Sequence, residues 1–217
     1  MQNRICAYAI VAKQCSVSIT IMWTLVGLGN PDEEYKGTRH NVGRDMLRAI
    51  AEKEGVNAWK IDKKLRATTA KGRMFDTSAL VVLPETFMNN SGGAVKPLIA
   101  SKKGLEQLVV LQDELDLPLG KVKISYGSSA GGHKGAESVQ KAVKSKDFVR
   151  IRIGISPSTP SGKVRKPDAE KVVSFVIGAF KKSEEETLKK VRKIVGEALE
   201  LLMTEGKEKA MTVVHSR

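Results

Sequence analysis

Apolar and polar positions divide the chain into short runs separated by turn-forming residues. Trp23 to Leu28 is an apolar run whose length and β-branched content predict a buried strand. It stops at Gly29-Asn30-Pro31, a combination that favours a turn. From Asn41 the period becomes helical, with Val42, Met46, Leu47 and Ile50 on one face. This predicts a helix from Asn41 to Lys53, closed by Gly55 and Asn57. Trp59 to Ala70 is short and polar and predicts no element of its own. Arg73–Phe75 and Ser78–Leu83 read as a hairpin turned near Asp76, with Ala79–Leu83 as a second buried strand. The polar stretch Pro84 to Gly92 then opens a helix, Gly93 to Ala100, with Asn90 or Ser91 as its candidate cap. Gln107 to Gln112 is a third apolar strand. Lys121–Ser125 and Val149–Ile155 alternate with period two, which puts Lys121 and Lys123 outward and Arg150 and Arg152 on one face. Ala136–Lys144, Asp168–Phe180 and Ser183–Thr204 read as helices. The stripe Leu188, Val191, Ile194, Val195, Ala198 and Leu201 on the last is core packing. Nothing repeats, and no linker divides the chain.

Each of the three apolar strands runs into a polar loop, and ligands of α/β sheets gather beyond the carboxyl ends of strands. The first loop carries Asn30, Tyr35, Arg39, His40 and Asn41, and the second Met88 and Asn89 beside Phe87. Asp113 stands nearest the end of the third strand and is expected to point toward the other two. Glu114 fits a solvated turn before Pro118. Gly27-Leu28-Gly29 hints at a dinucleotide fingerprint, but Asp32 stands where its third glycine belongs. The glycine-rich loop Gly127 to Gly135 lacks the Gly-Lys-Ser/Thr ending of a P-loop, so both nucleotide readings are disfavoured. An imidazole, a carboxylate to orient it and carboxamides that can bind a carbonyl suit general-base hydrolysis. No serine sits in a nucleophile elbow, which leaves water as the nucleophile.

Composition adds a partner. The 217 residues carry a net charge of +13, and the pI is near 9.7. Such an excess points to a polyanion, most simply nucleic acid. Lys121, Lys123, Arg150 and Arg152 are the strand residues placed to hold phosphates. Aromatics at 5% argue against a stacking platform for single strands. The two cysteines, Cys6 and Cys15, form neither a disulfide framework nor a zinc motif, and no apolar run is long enough to span a bilayer. A cytoplasmic monomer is the expectation. Residues 1–21 carry Arg4 and Lys13 without an acidic residue, a targeting-like composition. Met22 directly before the first strand favours an upstream start codon instead. Residues 1–21 are thus expected to be an extension, and 22–217 the domain.

Val26-Gly-Leu-Gly-Asn-Pro through Thr38-Arg-His-Asn41, Pro84-Glu-Thr-Phe-Met-Asn-Asn-Ser-Gly92 and Asp113-Glu-Leu-Asp-Leu-Pro-Leu-Gly120 closely resemble the bacterial-type peptidyl-tRNA hydrolase family. Gly132-His-x-Gly135, Arg150-Ile-Arg-Ile-Gly154 and Ala210-Met211 continue the resemblance in order. It implies a single three-layer α/β/α domain with a twisted mixed sheet. It also implies hydrolysis, without metal or cofactor, of the ester between a peptide and tRNA, freeing the tRNA for translation. By position, His40 matches the family's catalytic base and Asp113 its orienting carboxylate. Asn30 and Asn89 match the substrate-binding carboxamides, Tyr35 and Met88 residues lining the site, and Lys123 and Arg152 basic positions on the tRNA side. The chain departs from the pattern twice. Asp32 replaces a glycine, so that turn must avoid a positive φ or accept one at a cost. Lys134 replaces a substrate-holding asparagine and is expected to contact phosphate instead. The alternative is a non-catalytic RNA-binding relative, like the plant organelle splicing factors of this fold.

Overall fold

A computed structural model describes residues 22–217; the expectations for residues 1–21 lie outside them. The strands are β1 (Met22–Gly27), β2 (Lys60–Asp62), β3 (Ala67–Met74), β4 (Thr77–Pro84), β5 (Leu108–Pro118), β6 (Val122–Tyr126) and β7 (Val149–Ser156). They form one mixed sheet in the order β2-β3-β4-β1-β5-β7-β6. The inner four, β4, β1, β5 and β7, run parallel. β2, β3 and β6 join the sheet antiparallel to their neighbours.

The helices are α1 (Val42–Lys53), α2 (Gly92–Val95), α3 (Lys102–Glu106), α4 (Lys134–Val143), α5 (Val172–Val176), α6 (Glu185–Thr204) and α7 (Lys207–His215). Alternation along β1 divides the core. Leu25 faces the cluster that contains α1, α6 and α7, while Val26 faces the cluster that contains α2 and α4. The result is the three-layer α/β/α arrangement. No helix among the described residues is long and apolar enough to cross a membrane. Gly43 lets α1 lie close against the sheet: a Cβ there would stand 2.4 Å from the Leu111 carbonyl oxygen.

Several elements differ from the pattern-based expectation. The polar stretch after Trp59 supplies β2 and the start of β3. Thr68 and Thr69 stand between Ala67 and Ala70, which are small enough to be buried in the two core clusters on opposite sides of the sheet. The hairpin turns at Phe75 and Asp76, both at positive φ, as a two-residue turn between right-twisted strands requires. The helix after Gly92 ends at Val95 and continues as a 3-10 turn, Lys96–Leu98, because Pro97 cannot supply the next amide. Neither Asn90 nor Ser91 caps it. Ser91 Oγ donates to the Met88 carbonyl at 2.9 Å, and the Gly92 amide finds Ser138 Oγ on α4 at 3.0 Å. The expected helix Asp168–Phe180 shrinks to a 3-10 turn, Ala169–Lys171, and α5. The chain's tail forms α7, whose His215 Nε2 lies 3.0 Å from the backbone N and O of Ile124 on the edge strand β6.

The difference that matters for function is β5, which continues to Pro118 and carries the acidic residues within the sheet. Glu114 is buried rather than solvated. Arg152 on β7 donates to its Oε2 from Nε at 2.6 Å, so the cost of burying the carboxylate is offset.

Candidate active site

β1 sits between β4 and β5, and the loops leaving the carboxyl ends of these strands converge. After β1 the chain makes the Asn30-Pro31-Asp32 turn, then a 3-10 turn, Arg39–Asn41, that leads into α1. Asn41 holds the first turn to the second. Its Oδ1 accepts the Asn30 amide at 2.8 Å and its Nδ2 donates to the Asn30 carbonyl at 3.0 Å. The Asn30 side chain reaches across to the loop after β4, where its Oδ1 accepts the Met88 amide at 2.8 Å. That bond fixes the orientation of the carboxamide and leaves Nδ2 as its remaining donor. Asp32 takes φ 69° and ψ 146°. The turn therefore accepts the positive φ that a glycine would have adopted without strain.

His40 Nδ1 lies 2.8 Å from Asp113 Oδ1. Asp113 is 3% exposed, and its Oδ1 has a second histidine 2.7 Å away, through Nε2 of His133. The tautomer of His133 follows from its other nitrogen. Nδ1 accepts the Gly135 and Ala136 amides at 3.1 and 3.2 Å and so serves as the cap of α4. The ring proton therefore sits on Nε2 and is donated to Asp113. With Nδ1 turned to Asp113, His40 keeps Nε2 for a substrate or water. Burial disfavours the His40 imidazolium, but the attraction of Asp113 and its hydrogen bond outweigh burial and raise the pKa above the ordinary histidine value. Burial acts to raise the Asp113 pKa; the two histidines reverse this and hold the carboxyl well below the usual carboxylate range.

A cavity of about 570 Å³ opens beside these groups, lined by Asn30, His40, Met88, Asn89, His133 and Lys134 among others. Much of the lining is apolar: Phe87, 56% exposed, comes from the loop after β4, and Val173, 67% exposed, and Ile177 come from α5 and the residue after it. Gly135 makes room for Met88: a Cβ there would stand 2.4 Å from the Met88 Sδ. A second cavity, of about 540 Å³ between α1 and α6, holds charged residues such as Asp45 and Arg192 but no imidazole.

The residues singled out in the sequence fall into three groups. Asn30, His40, Met88, Asn89, Asp113 and Lys134 meet at this one cavity. Lys134 begins α4 and reaches Glu137 Oε2 at 3.2 Å. Tyr35, expected to line the site, stands instead in the 3-10 turn Glu33–Tyr35 and is not among the lining residues. Lys123 and Arg152 face each other across β6 and β7 outside the cavity. Lys123 is exposed, while Arg152 is tied to Glu114, itself a lining residue. Arg150 differs from its expected place on the phosphate-holding face. It is buried, and its guanidinium donates to Gln112 Oε1 and to the oxygens of Ser128 and Ser129, so it braces the glycine-rich loop that carries His133.

From the sequence, His133 stands only as the next candidate for the base should His40 fail, and Asn41 has no role beyond its place in the first loop. The sign for His133 was present: one of three histidines in the chain, set among glycines. His40, Asp113 and His133 also form the described residues' one group of potential metal ligands, with the ligand atoms within 4.8 Å of one another. Here both nitrogens are directed at the same carboxylate oxygen, so a cation would have to displace two ring protons.

The family model described as peptidyl-tRNA hydrolase matches residues 24–217. The peptidyl-tRNA hydrolase of Carboxydothermus hydrogenoformans is 36% identical over 192 residues, covering 88% of this chain and 97% of the relative. The chloroplastic peptidyl-tRNA hydrolase of Arabidopsis thaliana is 36% identical over 208 residues, covering 95% of this chain and 69% of the relative. The crystal structure of peptidyl-tRNA hydrolase from Acinetobacter baumannii superposes with a TM-score of 0.79 at 28% identity, over 90% of this chain and 95% of the other. On these matches the chain belongs to the peptidyl-tRNA hydrolase family.

Proposed function

We propose that this chain hydrolyses the ester bond between a peptide, or an N-blocked amino acid, and tRNA. The observation that carries the reading is the His40 Nδ1–Asp113 Oδ1 contact of 2.8 Å, which leaves Nε2 of a partly buried imidazole at a cavity. Nε2 takes a proton from water as its oxygen attacks the ester carbonyl, and Asp113 stabilises the imidazolium that forms. The oxygen of the tetrahedral intermediate accepts from Asn30 Nδ2 or from the Asn89 amide. The intermediate collapses by breaking the bond to the ribose oxygen, which receives the proton back from His40. The products are tRNA with its terminal hydroxyl restored and a peptide carboxylic acid, which loses its proton to solvent as the carboxylate. His133 acts on Asp113 from the other side and keeps the carboxylate turned toward His40.

The net charge of +13 supports a tRNA partner, with exposed Lys123, Lys134 at the cavity and Arg152 behind Glu114 as its phosphate contacts. The reading has the chain act as a monomer, which sizing at working concentration tests. It also has the chain act in the cytoplasm. Two relatives carry organelle names, so the location of a tagged chain with and without residues 1–21 decides that point.

The test of the activity is incubation of purified protein with labelled N-acetylphenylalanyl-tRNA in the presence of a chelator. Release of N-acetylphenylalanine with intact tRNA is the expected result. Tight binding of tRNA with the ester left whole would instead make the chain a binding module.

A further inference from the structure

We infer that Arg39, the residue before His40, is a positioning residue that fastens the apolar wall of the cavity to the turn carrying the base. This rests on the hydrolase reading for its meaning, though not for its geometry. Arg39 is 5% exposed. Its guanidinium lies between two rings, 4.8 Å from the centroid of Phe175 and 4.6 Å from that of Phe180. Nη2 donates to both carboxylate oxygens of Glu184, at 2.8 and 3.2 Å. The backbone repeats the tie: the Arg39 amide donates to the Gly178 carbonyl at 3.0 Å, and Thr38 forms an antiparallel bridge with Ala179.

All these partners belong to the segment from α5 to the start of α6. That segment supplies Val172, Val173, Val176 and Ile177 to the cavity. Val176 is the one buried residue of α5, so the helix has little core of its own to hold it. The wall therefore hangs on the Arg39 turn. Arg39 itself does not reach the reacting atoms. Its planar, permanently charged group suits a fixed clamp between two rings and a carboxylate. An acyl chain that presses on Val173 and Ile177 presses on the same body that holds His40.

Two measurements test this. Arg39→Lys keeps the charge but loses the planar stacking and the two-pronged contact. In the variant, the amides of Ile177 and Gly178 should exchange hydrogen faster, with the amides of α1 unchanged. The value of kcat/KM for N-acetylphenylalanyl-tRNA should fall by roughly tenfold, the scale of one misplaced apolar contact. N-acetylglycyl-tRNA should lose much less, and the pH profile should not move. Glu184→Gln should give the same pattern more weakly, and it carries the test if Arg39→Lys does not fold. An equal loss for both acyl groups, a shifted pH profile, or unchanged exchange at 177–178 overturns the proposal. If the wild-type chain released no acyl group at all, the hydrolase reading would fail, and the exchange measurement would still decide whether Arg39 holds the wall.

Discussion

Replacing Asp113 by Asn separates the charge of this residue from its shape. The Asp113 Oδ1 is 2.8 Å from His40 Nδ1 and 2.7 Å from His133 Nε2, and an asparagine oxygen in the same place can accept from both. The rings should keep their positions, and the negative charge alone is lost. With the charges about 4 Å apart and an effective dielectric constant near 20, their interaction is about 4 kcal/mol, or roughly a thousandfold in rate. The direction of the pH effect follows from the two opposing influences on His40. Burial lowers its pKa and Asp113 raises it beyond its ordinary value. Without the charge, burial is left, and the pKa should drop below the ordinary value. The base form of His40 is present only above its pKa. Wild-type cleavage should therefore rise through a group titrating above the usual histidine value and then level off. Asp113→Asn should begin to rise at lower pH yet level off roughly a thousandfold lower, since the imidazolium of the transition state is no longer stabilised. Single-turnover cleavage of labelled N-acetylphenylalanyl-tRNA from about pH 5 to 9 spans the titration. A rise that stays at the same pH, or a plateau within about tenfold of wild type, would refute the assignment of His40 as the base and Asp113 as its partner.

Four further outcomes are expected. Lys134→Asn should retain or raise the single-turnover rate, because the exposed Lys134 ammonium lies against Glu137 at the cavity rim rather than against His40 or Asp113; loss of cleavage would show a direct role. Asp32→Gly should relieve strain of about 1–3 kcal/mol, offset by about 0.4–1 kcal/mol of extra chain freedom in the unfolded state; calorimetry should show Tm raised, by about 2–4 °C for each kcal/mol of net gain, and a lowered Tm refutes the strain. Lys123→Ala and Arg152→Ala should both weaken tRNA binding and flatten its salt dependence in filter-binding titrations, but only Arg152→Ala should also lower stability, by about 3 kcal/mol, since it strands the buried Glu114 carboxylate. A chain starting at Met22 should melt at the temperature of the full chain, because β1 begins there; a large drop would give residues 1–21 a structural part.

The parts of this fold legible in the sequence are those set by neighbouring residues. Trp23 to Leu28 and Ala79 to Leu83 are apolar runs ended by turn residues, and both became strands. The loops behind them held Asn30, His40, Met88 and Asn89, because polar residues directly after a buried strand have few places to go but a cavity rim. What stayed hidden depends on partners far along the chain. Glu114 reads as a solvated turn until Arg152, on another strand, is placed against it. Arg150 and Arg152 share a face and a pattern, yet one braces a loop and the other pairs with a carboxylate, a difference that lies in Ser128 and Glu114 rather than in the arginines. The cap of α4 was missed because a histidine supplies it, where capping rules look for a hydroxyl or carboxamide. Of β3 only the end, Arg73 and Met74, shows in the pattern as a hairpin arm; Ala67 to Gly72 stays hidden because alanine, threonine and glycine carry little hydrophobic contrast.

The clamp on Arg39 also sets a timetable for synthesis. Glu184 lies 145 residues beyond Arg39, and Phe175 and Phe180 come only slightly earlier. At translation rates of roughly 5–20 residues per second, the turn bearing His40 waits about 7–30 s after it is made before its holders exist. β1, β4 and β5 can pair meanwhile, so the sheet is assembled ahead of the cavity wall. A growing chain of this protein therefore acquires its finished cleft only once the segment leading into α6 has emerged, long after the base itself.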